Sequence, residues 1–468
     1  MGKNKINTFQ ATIYIISFHY PREKGVTWKV NKIIHLFTKT DNRFSKVPIR
    51  FDRGNITSRG GLFIFAKFLD RIGLHKILEK DLSLSIRKKG KQTKQPIISR
   101  IYSLILCITA GCFRMYEIDE LRKDPQFKPV KDRLFEVVAT SFSRTLKKFR
   151  REHVYELRRT FGRIVKKLLT GMRVITIDLD STVTPVYGNQ EGADKGYNPE
   201  KRGLKSYHPL LAFVYEKGFL LNGILRCGSA YTSNGVKQFF QETVSRLPKC
   251  VRRIRLRCDS GFFDGRFIEY LERQKKVIHY VIKVKMKNMV GLMHLGAIEE
   301  WKKIGKNLYI GETTYRARSW KKARRIIVVK REEIFCDGYM FEHKGYMYSC
   351  YVTDFDWEAE KVVEFYNQRG GAENYIKDFK YGYGWGKMLT SSFIANEVIF
   401  LITMLTYNLT KFYQYALLGM SELEKTIIRL RERYIYQAAV ITRSGRSHTI
   451  HFAKNSPLQE VNALLEAS

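Results

Sequence analysis

The feature that most constrains this chain lies between residues 174 and 284, where the spacing of apolar residues switches repeatedly between two and about 3.6. Val174 to Ile177, Leu210 to Tyr215 and Phe219 to Leu225 read as strands, the last two joined by a Glu216-Lys217-Gly218 turn. Asn234 to Leu247 then reads as a helix, Ile254 to Arg257 as a strand, Phe263 to Gln274 as a helix and Val277 to Val284 as a strand. The order βββαβαβ calls for a mixed sheet with helices covering its faces.

This is an α/β pattern, and a ribonuclease-H-like core has the same order. Segments 58–80, 97–123 and 146–169 repeat apolar residues every three or four positions, so the N-terminal third is expected to be helical. From Lys285 to Thr353 the pattern breaks into short strands such as Leu308 to Ile310 and Arg325 to Val329, a β-rich insertion. Helical patterning resumes at Trp357 toward Phe379, and Asn396 to Leu418 reads as a buried helix. The expected divisions are an unassigned basic extension (1–55), a helical region (56–170), the first part of the core (171–284), the insertion (285–353), the end of the core (354–420) and a C-terminal region (421–468).

Charge narrows the partner. Lys and Arg number 84 against 45 Asp and Glu, a formal net charge of +39, which calls for a polyanion. Nucleic acid fits, because neutralising phosphates releases condensed counterions. An anionic membrane is the rival, but Ile101 to Gly111 and Val398 to Leu405 fall short of the roughly 18 apolar residues that spanning requires. Lys3 and Lys5 precede an apolar Ala11 to Phe18 without a small-residue cleavage site, so no export is expected. The 7 cysteines are scattered and contain no C-x-x-C pair, which suits a reducing cytoplasm and small buried hydrophobes.

Asp178-Leu179-Asp180 ends the first strand, and period-two alternation puts both carboxylates on one face. Asp259 follows the strand Arg255 to Cys258. Alone it reads as a turn or helix cap; together the strand-end acids favour a cation site, since clustered carboxylates repel one another unless neutralised. A third acid is expected from Tyr366 to Lys380, where a continuous helix would align Tyr366, Arg369, Glu373, Lys377 and Lys380 in one stripe. Gly370-Gly371 weakens such a helix by roughly 1 kcal/mol per glycine, which close approach of a nucleic-acid backbone would explain.

These residues carry a resemblance. Tyr366, Arg369, Glu373 and Lys380 match Tyr-x2-Arg-x3-Glu-x6-Lys, the signature of a group of bacterial insertion-sequence DDE transposases. Asp180-Ser181-Thr182-Val183-Thr184 resembles that group's first-aspartate motif and Cys258-Asp259-Ser260-Gly261 its second. Segments 188–193, 195–199 and 205–209 resemble the basic loop of one subgroup. The resemblance, over roughly residues 55–415, implies that Asp180, Asp259 and Glu373 bind two Mg2+ ions, with Mn2+ able to substitute and Asp178 as alternate or helper. It implies phosphoryl transfer: strand cleavage at a transposon end, then hairpin formation and target joining by the freed 3′-hydroxyl.

Tyr366, Arg369, Lys377 and Lys380 are then expected at DNA phosphates, as are the loop residues Lys195, Lys201, Arg202 and Lys205. Trp301 and Trp320 are candidates for stacking on an unpaired base, although aromatics in a β-segment are more often core. His208 is read as a surface histidine. The implied partners are double-stranded DNA, as inverted-repeat ends and target, and a second copy in a homodimer; the implied setting is a bacterial cytoplasm. A metal nuclease without strand joining and a transposase-derived DNA-binding protein are the alternatives.

Overall fold

The computed structural model describes residues 54–88, 91–93, 95–124, 139–196, 198, 201–274, 276–285, 296, 298–336, 342–445 and 447–467. The extension expected over 1–55 lies outside them, apart from Gly54 and Asn55.

Nine strands form one sheet. They are β1 (Val174–Ser181), β2 (Leu210–Val214), β3 (Phe219–Ile224), β4 (Arg253–Cys258), β5 (Val277–Lys283), β6 (Lys302–Gly305), β7 (Leu308–Tyr315), β8 (Arg324–Cys336) and β9 (Glu342–Thr353). Their order across the sheet is β6-β7-β8-β9-β5-β4-β1-β2-β3. β4 is parallel to both β1 and β5, whereas β2 is antiparallel to β1 and β3. The first five strands therefore fall in the order 3-2-1-4-5.

The β-rich insertion is not a sheet of its own. Tyr351, Val352 and Thr353 at the end of β9 pair antiparallel with Lys283, Ile282 and Val281 of β5, so the hairpins extend the core sheet sideways. The end of β9 is buried on both faces, with Cys350 and Val352 on one and Tyr351 on the other, which makes that continuation stable.

Among the described residues six helices precede β1: α1 (Gly61–Arg71), α2 (Leu74–Asp81), α3 (Gln95–Thr109), α4 (Met115–Lys123), α5 (Ala139–Leu146) and α6 (Arg151–Leu168). In α6 the buried positions Val154, Leu157, Phe161, Ile164 and Val165 recur at helical spacing, and the basic residues fall largely on the other face. α7 (Val236–Ser245) and α8 (Gly265–Glu272) connect β3 to β4 and β4 to β5.

Beyond the sheet run α9 (Ala359–Asn367), α10 (Gly370–Lys377), α11 (Phe393–Tyr413) and α12 (Leu458–Ala467). With the turn that follows it, α11 is long and apolar enough to cross a membrane, longer than its apolar core suggested, yet it is buried inside the fold. Asn408 of α11 donates to Leu220 O at 2.7 Å and accepts from Leu220 N at 2.8 Å, giving the outer edge of β3 the partner a further strand would supply. The C-terminal hairpin, Ala439–Ser444 with Ser447–Phe452, pairs with Ile56–Thr57, so the two ends of the described chain meet in one small sheet. Cys107, Cys112, Cys227, Cys250, Cys258 and Cys350 are free thiols.

Candidate active site

The register of β1 and β4 builds the site. Cys258 lies opposite Leu179 in a parallel pair, so Asp259, one residue on, emerges level with Asp180. Adjacent strands are about 4.8 Å apart. Asp259 also caps the turn at Ser260–Phe262, its Oδ1 accepting from Gly261 N at 2.9 Å. Cap and strand-end acid are thus one residue in two roles.

The third acid arrives on α10. α9 ends at Asn367 and α10 begins at Gly370, with Arg369 in the turn between them, so the stripe expected on a continuous helix is broken at its centre. A Cβ on Gly370 would meet nothing within 4 Å and one on Gly371 would only touch Tyr215, so protein packing does not explain the paired glycines. The segment is fixed over the sheet by the Tyr375 hydroxyl donating to Tyr215 O at 3.3 Å and by Arg257 Nη1 donating to Phe365 O at 2.7 Å.

Arg369 turns inward from that junction. Its Nη2 lies 2.8 Å from Asp180 Oδ2, while Asp180 Oδ1 accepts from Ser181 N at 2.8 Å. Burial pushes the Asp180 carboxyl up to about 7; Arg369 opposes this, and the charges of Asp259 and Glu373 add to it. Burial alone would lower the Arg369 guanidinium, but Asp180 foremost, with Tyr366, Asp259 and Asp178, holds it above its ordinary value. Arg369 Nε is buried and has no hydrogen-bond partner. Asp180, Asp259, Glu373 and Arg369 therefore share one electrostatic neighbourhood, with Glu373 on the solvent side.

Asp178 acts on Arg369 through its charge but is engaged elsewhere. Its two oxygens accept from Arg257 Nε at 2.6 Å and Arg257 Nη2 at 2.8 Å, and both side chains are fully buried. The expectation that Asp178 helps hold a metal is corrected: its lone pairs are committed to a guanidinium inside the sheet's cover.

Tyr366 is also buried, its ring 4.7 Å from that of Tyr351, and burial holds its phenol far above the ordinary value. Lys380 Nζ donates to Val183 O at 3.0 Å, tying this helix to the loop after Asp180; Lys377 is exposed. Lys195, Lys201, Arg202 and Lys205 are all exposed, and Lys195 and Lys205 stand opposite each other in a small antiparallel sheet. Lys205 Nζ donates to Asn189 at 3.2 Å, and Lys201 sits on the Tyr187 ring.

Two aromatic expectations change. Trp320 is 6% exposed, wedged among Phe263, Tyr315 and the Arg324 guanidinium, so it is core and has no face for a base. Trp301 is half-buried, beside Tyr348 with Lys330 over its ring.

His208, read as a surface residue, is 4% exposed. Its Nδ1 lies 2.7 Å from Ala230 O and its Nε2 3.2 Å from Ser181 Oγ, and Ser181 Oγ in turn lies 3.2 Å from Thr232 Oγ1. Burial lowers its pKa. Arg226 supports the same loop, donating to His208 O at 3.0 Å and to Tyr231 O and Asn234 O at 3.0 Å each. Arg257 alternates with Arg253 and Arg255 along its strand, so nothing in the sequence singled it out, and Arg226 stands two residues past the strand Phe219–Ile224.

The sequence matches the family described as "Transposase DDE domain group 1" over residues 39–467. The chain belongs to this DDE transposase family. No curated protein matches it. Among solved structures it is similar to a piggyBac transposase synaptic complex with hairpin DNA, at TM-score 0.47 and 15% identity, over 81% of this chain and 80% of that one. A second likeness, to an Argonaute from Marinitoga piezophila in complex with guide RNA and target DNA, has TM-score 0.20 and 10% identity over 42% of this chain and 26% of that one.

For a DDE transposase the donor set is chemically apt: three carboxylates, all hard oxygen ligands, suit Mg2+ or Mn2+. Among the described residues no three His, Cys, Asp or Glu are grouped closely enough to hold one ion. What remains in favour of the fit is the composition of the cluster: Asp259 and Glu373 both act on the Asp180 carboxyl, and Arg369 alone opposes them.

Proposed function

We propose that this DDE transposase is of the bacterial insertion-sequence group with the Tyr-Arg-Glu-Lys signature and performs cut-and-paste DNA transposition from a ribonuclease-H-like core. The observation that carries the reading is the level placement of Asp180 and Asp259 on adjacent parallel strands, under a helix pair that brings Glu373 and Arg369 to the same edge.

Asp180, Asp259 and Glu373 would hold the divalent cations. When bound, such ions activate an attacking oxygen and neutralise charge on the leaving one. Arg369 has a buried Nε with no partner, which suits a phosphate oxygen, and its Nη2 already balances Asp180. Lys380 orients the loop after Asp180, and Lys195, Lys201, Arg202 and Lys205 present exposed positive charge to a DNA backbone. Tyr366, its ring packed on Tyr351, accepts from Arg369 N through its carbonyl at 2.9 Å and so anchors the turn that carries Arg369. His208 positions Ser181, the residue next to Asp180. Double-stranded DNA is the partner, and a homodimer holding paired ends is the working assembly.

A strand-joining assay tests this. The protein is incubated with Mg2+ and pre-cut duplexes bearing the inverted repeats that border its coding region, and joined products are resolved by size. Joining supports the transposase reading; cutting without joining indicates a nuclease, and binding alone an inactive descendant.

A further inference from the structure

Helix α6 forms one wall of a cleft of about 550 Å³ that is separate from the candidate active site. Its lining includes Arg151, Tyr155, Arg158, Arg159, Arg163 and Lys166 of α6, together with Arg246 and Glu242 of the α7 region. Cationic side chains outnumber the two lining carboxylates, Glu242 and Glu397, threefold.

The floor is rigid. Arg158 and Arg246, both nearly buried, share Glu242: Arg158 Nη2 lies 2.8 Å from Oε2 and Arg246 Nη2 lies 2.6 Å from Oε1. Both also donate to carbonyls of β3, Arg158 to Gly223 O at 3.1 Å and Arg246 to Leu221 O at 3.3 Å. Two guanidiniums face two carboxylates here, Glu397 standing 3.8 Å from Arg158, so the floor is balanced and the excess positive charge of the cleft lies on its rim. Arg158 is thus part of a scaffold and not of the exposed basic face.

The rim is exposed. Arg151, Tyr155, Arg159 and Arg163 follow one another at four-residue intervals, about 6 Å apart along the helix, close to two steps of the 3.4 Å rise of a DNA strand. Tyr155 is 67% exposed among them, an aromatic that the core does not use. Arg163 is held by Asp81 at 2.8 Å; among the described residues no carboxylate lies within salt-bridge distance of Arg151, Arg159 or Lys166.

Position ties the cleft to the chemistry. Gly223, which receives the Arg158 bond, pairs with Leu211, and Leu211 pairs with Asp180. The cleft thus opens at the sheet edge two strands from Asp180 and level with it, about 10 Å away by strand spacing. That is within the reach of a single duplex.

We propose that this cleft is a track for the phosphodiester backbone of duplex DNA entering the candidate active site along the β3 edge. The inference rests on the DNA reading above and adds the path. Arg151, Arg159 and Lys166 make the phosphate contacts, while Arg158, Arg246, Glu242 and Glu397 hold the floor, and the helix that carries the rim, in place.

The test is fluorescence anisotropy with a fluorescein-labelled mixed-sequence duplex of about 30 base pairs, titrated with the full chain across about 50 to 200 mM salt. The triple variant Arg151→Gln/Arg159→Gln/Lys166→Gln should bind at least tenfold more weakly at the middle of that range. The slope of log affinity against log salt should shrink by about 2.7, three contacts at about 0.9 each. Lys166→Gln alone, a milder change, should reduce it by about one contact. A charge-matched control, Lys303→Gln/Lys306→Gln/Arg331→Gln, lies toward the opposite edge of the sheet and should keep most of the slope. An unchanged slope in the cleft variants, or an equal loss in the control, overturns the track while leaving DNA binding intact. A wild-type chain that shows no salt-dependent duplex binding overturns the DNA reading itself.

Discussion

Asp178 and Asp180 sit two residues apart on one strand, face the same way and each meets an arginine, yet the two ends of that short stretch are opposite in kind. At Asp178 the carboxylate and Arg257 close on each other through two bonds in full burial. At Asp180 a single nitrogen of Arg369 meets one oxygen, and two further acids face the same space. The first pair is complete, and removing either member strands a buried charge. The second is incomplete: Arg369 alone opposes the effect of Asp259 and Glu373 on a carboxyl at the C-terminal end of the strand. Strand ends can host chemistry because the ladder stops there, while one pleat repeat deeper the same residue types serve only the fold.

The comparison predicts a division between activity and stability. Asp180→Ala, Asp259→Ala and Glu373→Ala should each lower DNA-end cleavage on the order of a thousandfold or more, with Asp259→Ala and Glu373→Ala melting close to wild type. Cleavage that survives in any of them would break the distinction at its catalytic side.

Arg257→Met should do the reverse, destabilising the fold by about 3–5 kcal/mol because Asp178 is left buried and unpaired, as read by denaturant unfolding. The replacement of both partners, Asp178→Leu with Arg257→Met, should recover much of that loss.

A smaller effect concerns pH. The Asp180 carboxyl is raised from 3.8 to about 7 in the fold, so between those values the folded chain holds a proton that the unfolded chain has released. Stability from this group is complete below about pH 4 and is lost as pH rises toward 7. In metal-free buffer the Asp180→Asn variant should show a flatter dependence of melting temperature on pH over that window. An identical slope would mean that Asp180 is ionised throughout and that the Arg369 pair is as complete as the deeper one.

The smallest effects belong to the loop beyond Asp180. Lys195→Gln and Lys205→Gln should each weaken duplex binding only a few fold and reduce the salt slope by about one contact, without changing the melting temperature.

The strand and helix order from 174 to 284 was legible because its apolar periods are strong and short turns separate them. Asp180, Asp259 and Glu373 were legible as a set because two of them end strands and the third follows a recognisable Tyr-Arg spacing. The role of Asp178 was not, since its partner Arg257 lies on another strand and only sheet register brings the two opposite each other. The same limit hid the merger of the insertion with the core sheet, which depends on three residue pairs between β5 and β9. Trp320 and His208 show that exposure is a tertiary property: the ring of one is enclosed by Phe263 and Tyr315, and the imidazole of the other turns inward to Ala230 and Ser181. The broken helix at Arg369 was missed although Gly370-Gly371 marked it, because the residues on either side keep a helical spacing.

The central claim is that residues 180, 259 and 373 act as one cation site, and Mn2+ binding followed by electron paramagnetic resonance tests it most directly. Asp180→Asn, Asp259→Asn and Glu373→Gln are compared singly and in pairs on the full chain with an end duplex present. The account predicts that each single change weakens the same Mn2+ at least tenfold and that paired changes lose less than the sum of the singles. Wild-type affinity in both Asp259→Asn and Glu373→Gln, with loss only in Asp180→Asn, would contradict it.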